Sequence, residues 1–486
     1  MKNFITILFL ASTIGSVSTA GAKSTNYLNK CSGKQVKPLH GQRINFSYTE
    51  DQNNLYHASQ PWQTINEKSK GAICCNEIGF TQIDTVSDNG KDYVTKVQLD
   101  KTALLIQNYW SSKIGNVSKS KFAVQPIEIA RYSPIMLINY FREQKASPSD
   151  KSNRQYAVYT LNIDKKVVSL YIRKSDYLLD RVTSTENNDM WGDVTDTLVY
   201  TDYVAYQGVS YAKDIHIQKI HGIQDEVTMS ANGIVKEMPT LLEKPKDYTI
   251  KEDENTPETV SSEKMADHVY CINLPQAESK VGLVEFKDFL VVIDVPLSSD
   301  NGELVIQEAK KIAPGKPIKY YTFSHHHPWA LGGVRRFIYD GATILTRPED
   351  TSYLQFLATA PHTLKPDSLQ QQPKPLITEI LDSSKTISDG RFEMKICYIG
   401  KQSTHTKDYV IYYFPSDKLI FENDLAWISK EGPLKKAGKR QAGLYDYIKD
   451  SGMDVTTVLQ NWPTGDRYGV KSVFPFSELQ HSVEMK

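Results

Sequence analysis

The feature that most constrains this chain is the stretch from Ile318 to Gly333. Ile318 to Phe323 reads as a strand. It runs into His325, His326 and His327, and Gly332-Gly333 then opens a short helix over Val334 to Tyr339, closed by Gly341. A strand, a histidine loop and a helix start in that order form a place where a metal site would be built. Residues two apart in extended backbone point to the same side, so His325 and His327 can grip one ion. His326 then points away, toward packing or solvent.

Around this stretch strands alternate with helices. Val281 to Phe286 and Phe289 to Val295 read as a hairpin across Lys287-Asp288. Asp300 to Ile312 suits a helix with Leu304, Ile306, Ala309 and Ile312 as its apolar positions and Gly315 near its end. Ala342 to Leu345, Phe392 to Ile399, Tyr409 to Phe414, Leu419 to Glu422 and Val455 to Asn461 read as strands, and Tyr353 to Ala360 and Leu444 to Ser451 as helices. That rhythm predicts an α/β fold.

The preceding residues have another rhythm. Residues 40–245 are rich in strand patterns. Val168, Leu170 and Ile172 fall on one face of an alternating segment, and Gln155 to Ile163 and Thr197 to Tyr206 are rich in Tyr and Val. Tyr203 to Val209 reads as a strand, a turn at Gln207-Gly208 and a return, which Ile215-His216-Ile217 continues. The simplest assembly is a mainly antiparallel sheet. Lys145 to Asn153 reads as a loop, and Lys244 to Lys264 as a solvated, mobile linker. The expected organisation is a strand-rich N-terminal domain over 23–243, a linker over 244–264 and an α/β domain over 265–486. A chain of 486 residues exceeds what one ordinary core supports, in keeping with that division.

Lys plus Arg and Asp plus Glu both number 57, so no global charge recruits nucleic acid or an anionic membrane surface. Lys2, the apolar run Phe4 to Val17 and the small residues Ala20-Gly21-Ala22 predict a signal peptide over 1–22. The alternative is an uncleaved anchor, for which the run is short. No later segment is apolar enough over a sufficient length to span a bilayer, so the expected product is soluble and either periplasmic or secreted. Of five cysteines, Cys31 could bridge to Cys74 or Cys75, or all could be buried thiols. There is no Cys-x-x-Cys, no Gly-x-Ser-x-Gly and no phosphate-binding loop motif.

Over roughly residues 265–480 the chain resembles the metallo-β-lactamase superfamily. Its landmarks occur in the family's order: Val291-Val292-Ile293-Asp294, then Ile318 to Gly333, then Thr404-His405-Thr406-Lys407-Asp408, then Ile420-Phe421-Glu422-Asn423-Asp424, then Trp462-Pro463-Thr464-Gly465-Asp466. The resemblance implies an αβ/βα sandwich. It also implies metal ligands at His325, His327 and His405, with Asp424 binding the same metal or its water. The family's first loop reads His-x-His-x-Asp-His. Here Trp329 stands at the Asp position and Ala330 at the third His, and neither side chain binds metal. Asp466 stands where the family has a final His. What the resemblance leaves is one metal ion, expected to be zinc, or none. Asp294 and Asp408 are candidates to accept the second ring N–H of a ligand histidine, or else to stabilise strand ends.

The leading expectation is therefore an exported metal-dependent hydrolase in which metal-activated water attacks an ester, lactone, amide or phosphodiester, with Asp424 or Asp466 as acid/base. The alternative is a catalytically inactive binding protein of the same fold, favoured by Trp329 and Ala330. The expected partner is a small-molecule substrate or ligand. His362, His216, His221 and His481 rank below as loop or surface histidines.

Overall fold

A computed structural model describes residues 26–485, apart from 56–57, 89, 110 and 254–257. The expected signal segment lies outside the described residues. Among those described, no helix is long and apolar enough to cross a membrane.

The N-terminal half is built on an eleven-stranded sheet whose pairings are all antiparallel. Arg43–Asn54 lies in its middle, between Ile65–Cys75 and Gln224–Val235. The alternation read from sequence decides its inner face: Val168, Leu170 and Ile172 are completely buried. Gln207 (φ 47°) and Gly208 (φ 84°) form the two-residue turn between Gly192–Tyr206 and Val209–Gln218, with the positive φ at both positions that matches strand twist. The pattern did not reveal the helices Tyr27–Gln35 and Ile135–Glu143, whose Leu28, Leu137, Ile138 and Phe141 enter the same core as the sheet. Ile135–Glu143 buries residues around most of its circumference, so it lacks the polar stripe by which a surface helix is recognised.

The C-terminal half is a four-layer α/β sandwich. A seven-stranded sheet starts with three antiparallel pairings and ends with three parallel ones, through Leu290–Ile293, Ile318–Thr322, Thr343–Thr346 and Thr378–Ile380. A six-stranded sheet faces it. Alternate residues of one strand feed two cores. Val291 and Ile293 meet Ile396, Val410, Phe414 and Phe421 of the second sheet. Leu290 and Val292 face the other way, under the helices Ser299–Ile312, Val334–Tyr339 and Thr351–Thr359. The helices Lys439–Asp450 and Phe476–Glu484 cover the outer face of the second sheet through Leu444, Ile448 and Leu479. Burial on both faces explains why Leu290–Ile293 is a continuous apolar run.

Two stretches read as linker are structured. Ile250–Lys251 pairs in parallel with Val117–Ser118, and Ser261–Ala266 is the edge strand of the seven-stranded sheet. Polar composition there reflects an edge position, where one side of the strand faces water. All five cysteines are buried free thiols.

The halves touch beside the histidine loop. Lys407 N donates to Ser59 O (2.9 Å), Lys407 Nζ to Gln60 Oε1 (3.0 Å) and Trp191 Nε1 to Tyr353 Oη (2.7 Å). Asp193 N donates to Pro361 O (2.6 Å). A Cβ on Gly192 would lie 2.2 Å from that same carbonyl, so only glycine permits the approach.

Candidate metal centre

The strand Ile318–Thr322 delivers the histidines, and buried polar bonds fix the loop that carries them. Asp294, fully buried at the end of Leu290–Ile293, accepts from Ser324 N (2.6 Å), Asn423 Nδ2 (3.0 Å) and Asn461 Nδ2 (3.2 Å). It thus ties together three of the motifs read from sequence. Burial pushes its carboxyl up to about 7, against the lowering effect of these donors. Gly332 and Gly333 are required by close approach: a Cβ on Gly332 would lie 2.4 Å from Leu297 N, and one on Gly333 2.4 Å from Val295 Cγ1.

His325, His327 and His405 converge. Their ring centroids lie 4.7, 4.8 and 5.0 Å apart, and their donor atoms lie within 4.8 Å of one another. His325 stacks on Tyr409 with centroids 4.8 Å apart, and its Nδ1 is 3.0 Å from Ser324 Oγ. His327 Nε2 is 3.0 Å from Ala58 O. A carbonyl can only accept, so Nε2 carries the hydrogen and Nδ1 the lone pair. Burial lowers both rings' affinity for protons, to about 3 for His327 and well below the ordinary range for His325. Both are therefore neutral near pH 7, the form that ligates metal.

Asp424 joins this group. Its Oδ2 lies 3.0 Å from His405 Nε2 and 2.9 Å from Arg440 Nη1, and Tyr409 Oη donates to Oδ1 at 3.0 Å. Burial alone would raise its carboxyl, but the hydrogen bond with His405 and the charge of Arg440 hold it below the usual carboxylate range. The residues present fit a divalent ion, with three imidazoles on one centre and an ionised carboxylate beside them.

Asp466 requires a correction. Its side chain is fully exposed and pairs with Lys430 at 2.9 Å, so it does not join the histidines. The loop Trp462 to Tyr468 instead directs aromatic rings inward. Trp462 packs against Trp329 (5.3 Å), Trp427 (5.9 Å) and Tyr468 (5.7 Å). Ala330 is completely buried and supplies a carbonyl to Tyr321 Oη (2.8 Å). Asp408 serves His326, accepting from its backbone N (2.6 Å) and lying 3.1 Å from its Nδ1.

Next to the loop lies a cavity of about 360 Å³, walled by Trp62, Trp191, Trp329 and Tyr353, with His326 and His327 at its edge. Sequence reasoning assigned no role to Trp62, Ala58, Tyr409 or Arg440. No motif marks them, since each acquires its position from packing between distant segments.

With this sandwich and its histidine triangle, the C-terminal half resembles the metallo-β-lactamases. It is 27% identical over 218 residues to metallo-β-lactamase type 2 of Elizabethkingia meningoseptica, a match covering 43% of this chain and 77% of that protein. Similar solved structures include a metallo-β-lactamase from Pontibacter korlensis, at 16% identity and a TM-score of 0.34, covering 46% of this chain and 97% of that one. Another is the metallo-β-lactamase DIM-1 exposed to ceftazidime, at 14% identity and a TM-score of 0.34, covering 47% and 96%. No family model matches the chain. The metallo-β-lactamase-like half carries the histidines, while the N-terminal half supplies Ala58 and Trp62 beside them.

Proposed function

We propose that the chain is an exported metal-dependent hydrolase whose His325, His327 and His405 hold a single zinc ion. The observation that carries this reading is the buried triangle of imidazoles, two of them kept neutral by burial. A bound zinc ion supplies Lewis acidity, which polarises a substrate oxygen and makes water nucleophilic near neutral pH. Asp424, kept ionised by His405 and Arg440, accepts a proton at Oδ1 or Oδ2 or contributes to the ion's ligand set. Trp329 offers no proton acceptor where the family has Asp, so Asp424 is the acid/base candidate. The aromatic cavity favours a small molecule with a planar or apolar body. The reacting group is an ester, lactone, amide or phosphodiester. Export to the periplasm or beyond rests on the sequence of residues 1–22.

A second reading is a binding protein without turnover. Trp329, Ala330 and the exposed Asp466 favour it, because at the positions that bind a second ion in the family the first two offer no ligand atom and the third faces solvent, paired with Lys430. Metal content of the purified protein separates the readings when combined with hydrolysis assays on an ester and lactone panel. The hydrolase reading expects the His325→Ala/His405→Ala variant to bind one zinc fewer than wild type and to lose all turnover. Equal zinc content in the two proteins would refute the metal centre. Zinc-loaded wild type inert toward the whole panel would favour the binding protein.

A further inference from the structure

One buried cluster has no part in the proposed chemistry. Asp350 ends the turn Pro348–Asp350 and precedes the helix Thr351–Thr359. An Asp there ordinarily accepts a bond from the first turn of its helix. This one does not: its side chain makes no capping bond, it is completely buried, and neither carboxylate oxygen has a hydrogen-bond partner. It lies with Asp408 and His326, also buried, and one donor atom from each falls within 4.8 Å of the others. Asp408 Oδ2 is engaged by His326, whereas Oδ1 has no partner.

Two adjacent carboxylates away from water need compensation. Among the described residues, no Lys or Arg pairs with either. The nearby Arg347 acts on Asp350 through its charge but forms no ion pair with either carboxylate. It donates to Leu381 O, lies 3.6 Å from Glu349 and stacks 3.9 Å over the Tyr398 ring. A proton shared between the two acids would satisfy two of the three unpartnered oxygens and leave one. A cation facing both carboxylates compensates all three, and the imidazole supplies a third ligand.

We infer that His326, Asp408 and Asp350 form a second divalent-metal site, separate from the three-histidine centre. One imidazole nitrogen and two carboxylates suit zinc or manganese. Calcium calls for six to eight oxygens, and magnesium retains most of its water. The ion would join three segments: the histidine loop, the start of the helix Thr351–Thr359 and the loop after His405. It would hold His326, and thereby the backbone of His325 and His327, from the side opposite their ligand atoms.

The test is metal content by plasma mass spectrometry on the full chain, loaded with zinc or manganese and desalted. Four proteins are compared: wild type, Asp350→Asn, His326→Gln, and His325→Ala/His405→Ala. Near-ultraviolet circular dichroism checks their folding. The inference expects two equivalents in wild type and one in each folded variant. Because Asp350→Asn is nearly isosteric and His326→Gln perturbs a different ligand, loss of one equivalent in either folded variant supports the site. Wild-type content in both overturns it, whatever the three-histidine variant does. If that variant keeps the wild-type content while Asp350→Asn loses an equivalent, the hydrolase reading fails and this site stands.

Discussion

Removing the Asp367 carboxylate should be among the most damaging single changes outside the metal centre. Arg335 is 2% exposed, yet it is charged. Its Nε and Nη2 donate to Asp367 at 2.7 and 2.9 Å, and its Nη1 donates to the carbonyls of Leu357 (2.6 Å), Ala358 (3.3 Å) and Ala360 (3.3 Å). Asp367 also accepts from Ser299 Oγ (2.9 Å) and caps the helix Ser368–Gln371 through Gln370 N (2.8 Å). Asp367→Ala leaves a buried guanidinium with carbonyls alone. Breaking a buried pair from one side costs about 3–5 kcal/mol, and a lost cap about 1 kcal/mol. The two overlap, so the expected loss is about 3–5 kcal/mol. Guanidinium chloride unfolding at pH 7, read at an unchanged slope, measures it. A loss below about 1 kcal/mol, the range of an exposed pair, would refute the argument. The pH dependence has a definite sign. Burial opposes ionisation, but Arg335 and the Gln370 bond hold the Asp367 carboxyl at about 2, below its ordinary 3.8. A depressed carboxyl stabilises the fold above its unfolded value, and that contribution fades as pH falls through the folded one. The stability difference between wild type and Asp367→Asn should therefore be constant above about pH 5 and shrink between about pH 4 and 2.

Gly332→Ala should destabilise the protein and lower its zinc content together. The added Cβ meets the Leu297 backbone, which cannot rotate aside as a side chain would. A loss at or above the upper end of about 1–3 kcal/mol is expected in unfolding experiments. Asp466→Ala, at a fully exposed pair with Lys430, should leave metal content, turnover and melting temperature unchanged.

Much of the C-terminal half was legible because its signals are local. Leu419–Glu422 and Val334–Tyr339 match their expected bounds, and the Lys287-Asp288 hairpin is present, since a strand or short helix is announced by its own period and its own turn residues. His325 and His327 converge for the same reason: a spacing of two in extended backbone fixes a common side. In the N-terminal half the alternation of Val168, Leu170 and Ile172 was readable, but the helix Ile135–Glu143 was not. Asp466 failed as a site residue because its position was assigned by motif order alone. The chain there turns the carboxylate to solvent and Trp462 inward.

The sequence by itself determined the alternation of elements, the histidine loop and the absence of metal-binding groups at Trp329 and Ala330. Those follow from side-chain chemistry and from spacings of a few residues. Tertiary structure alone decided the rest. Ala58 fixes the His327 tautomer across 269 residues of sequence, and Arg440 reaches Asp424 from the helix Lys439–Asp450. Asp350 was brought unpartnered to Asp408 by the packing of a helix start against a distant loop. Such contacts join residues with no common period, so only the folded chain brings them together.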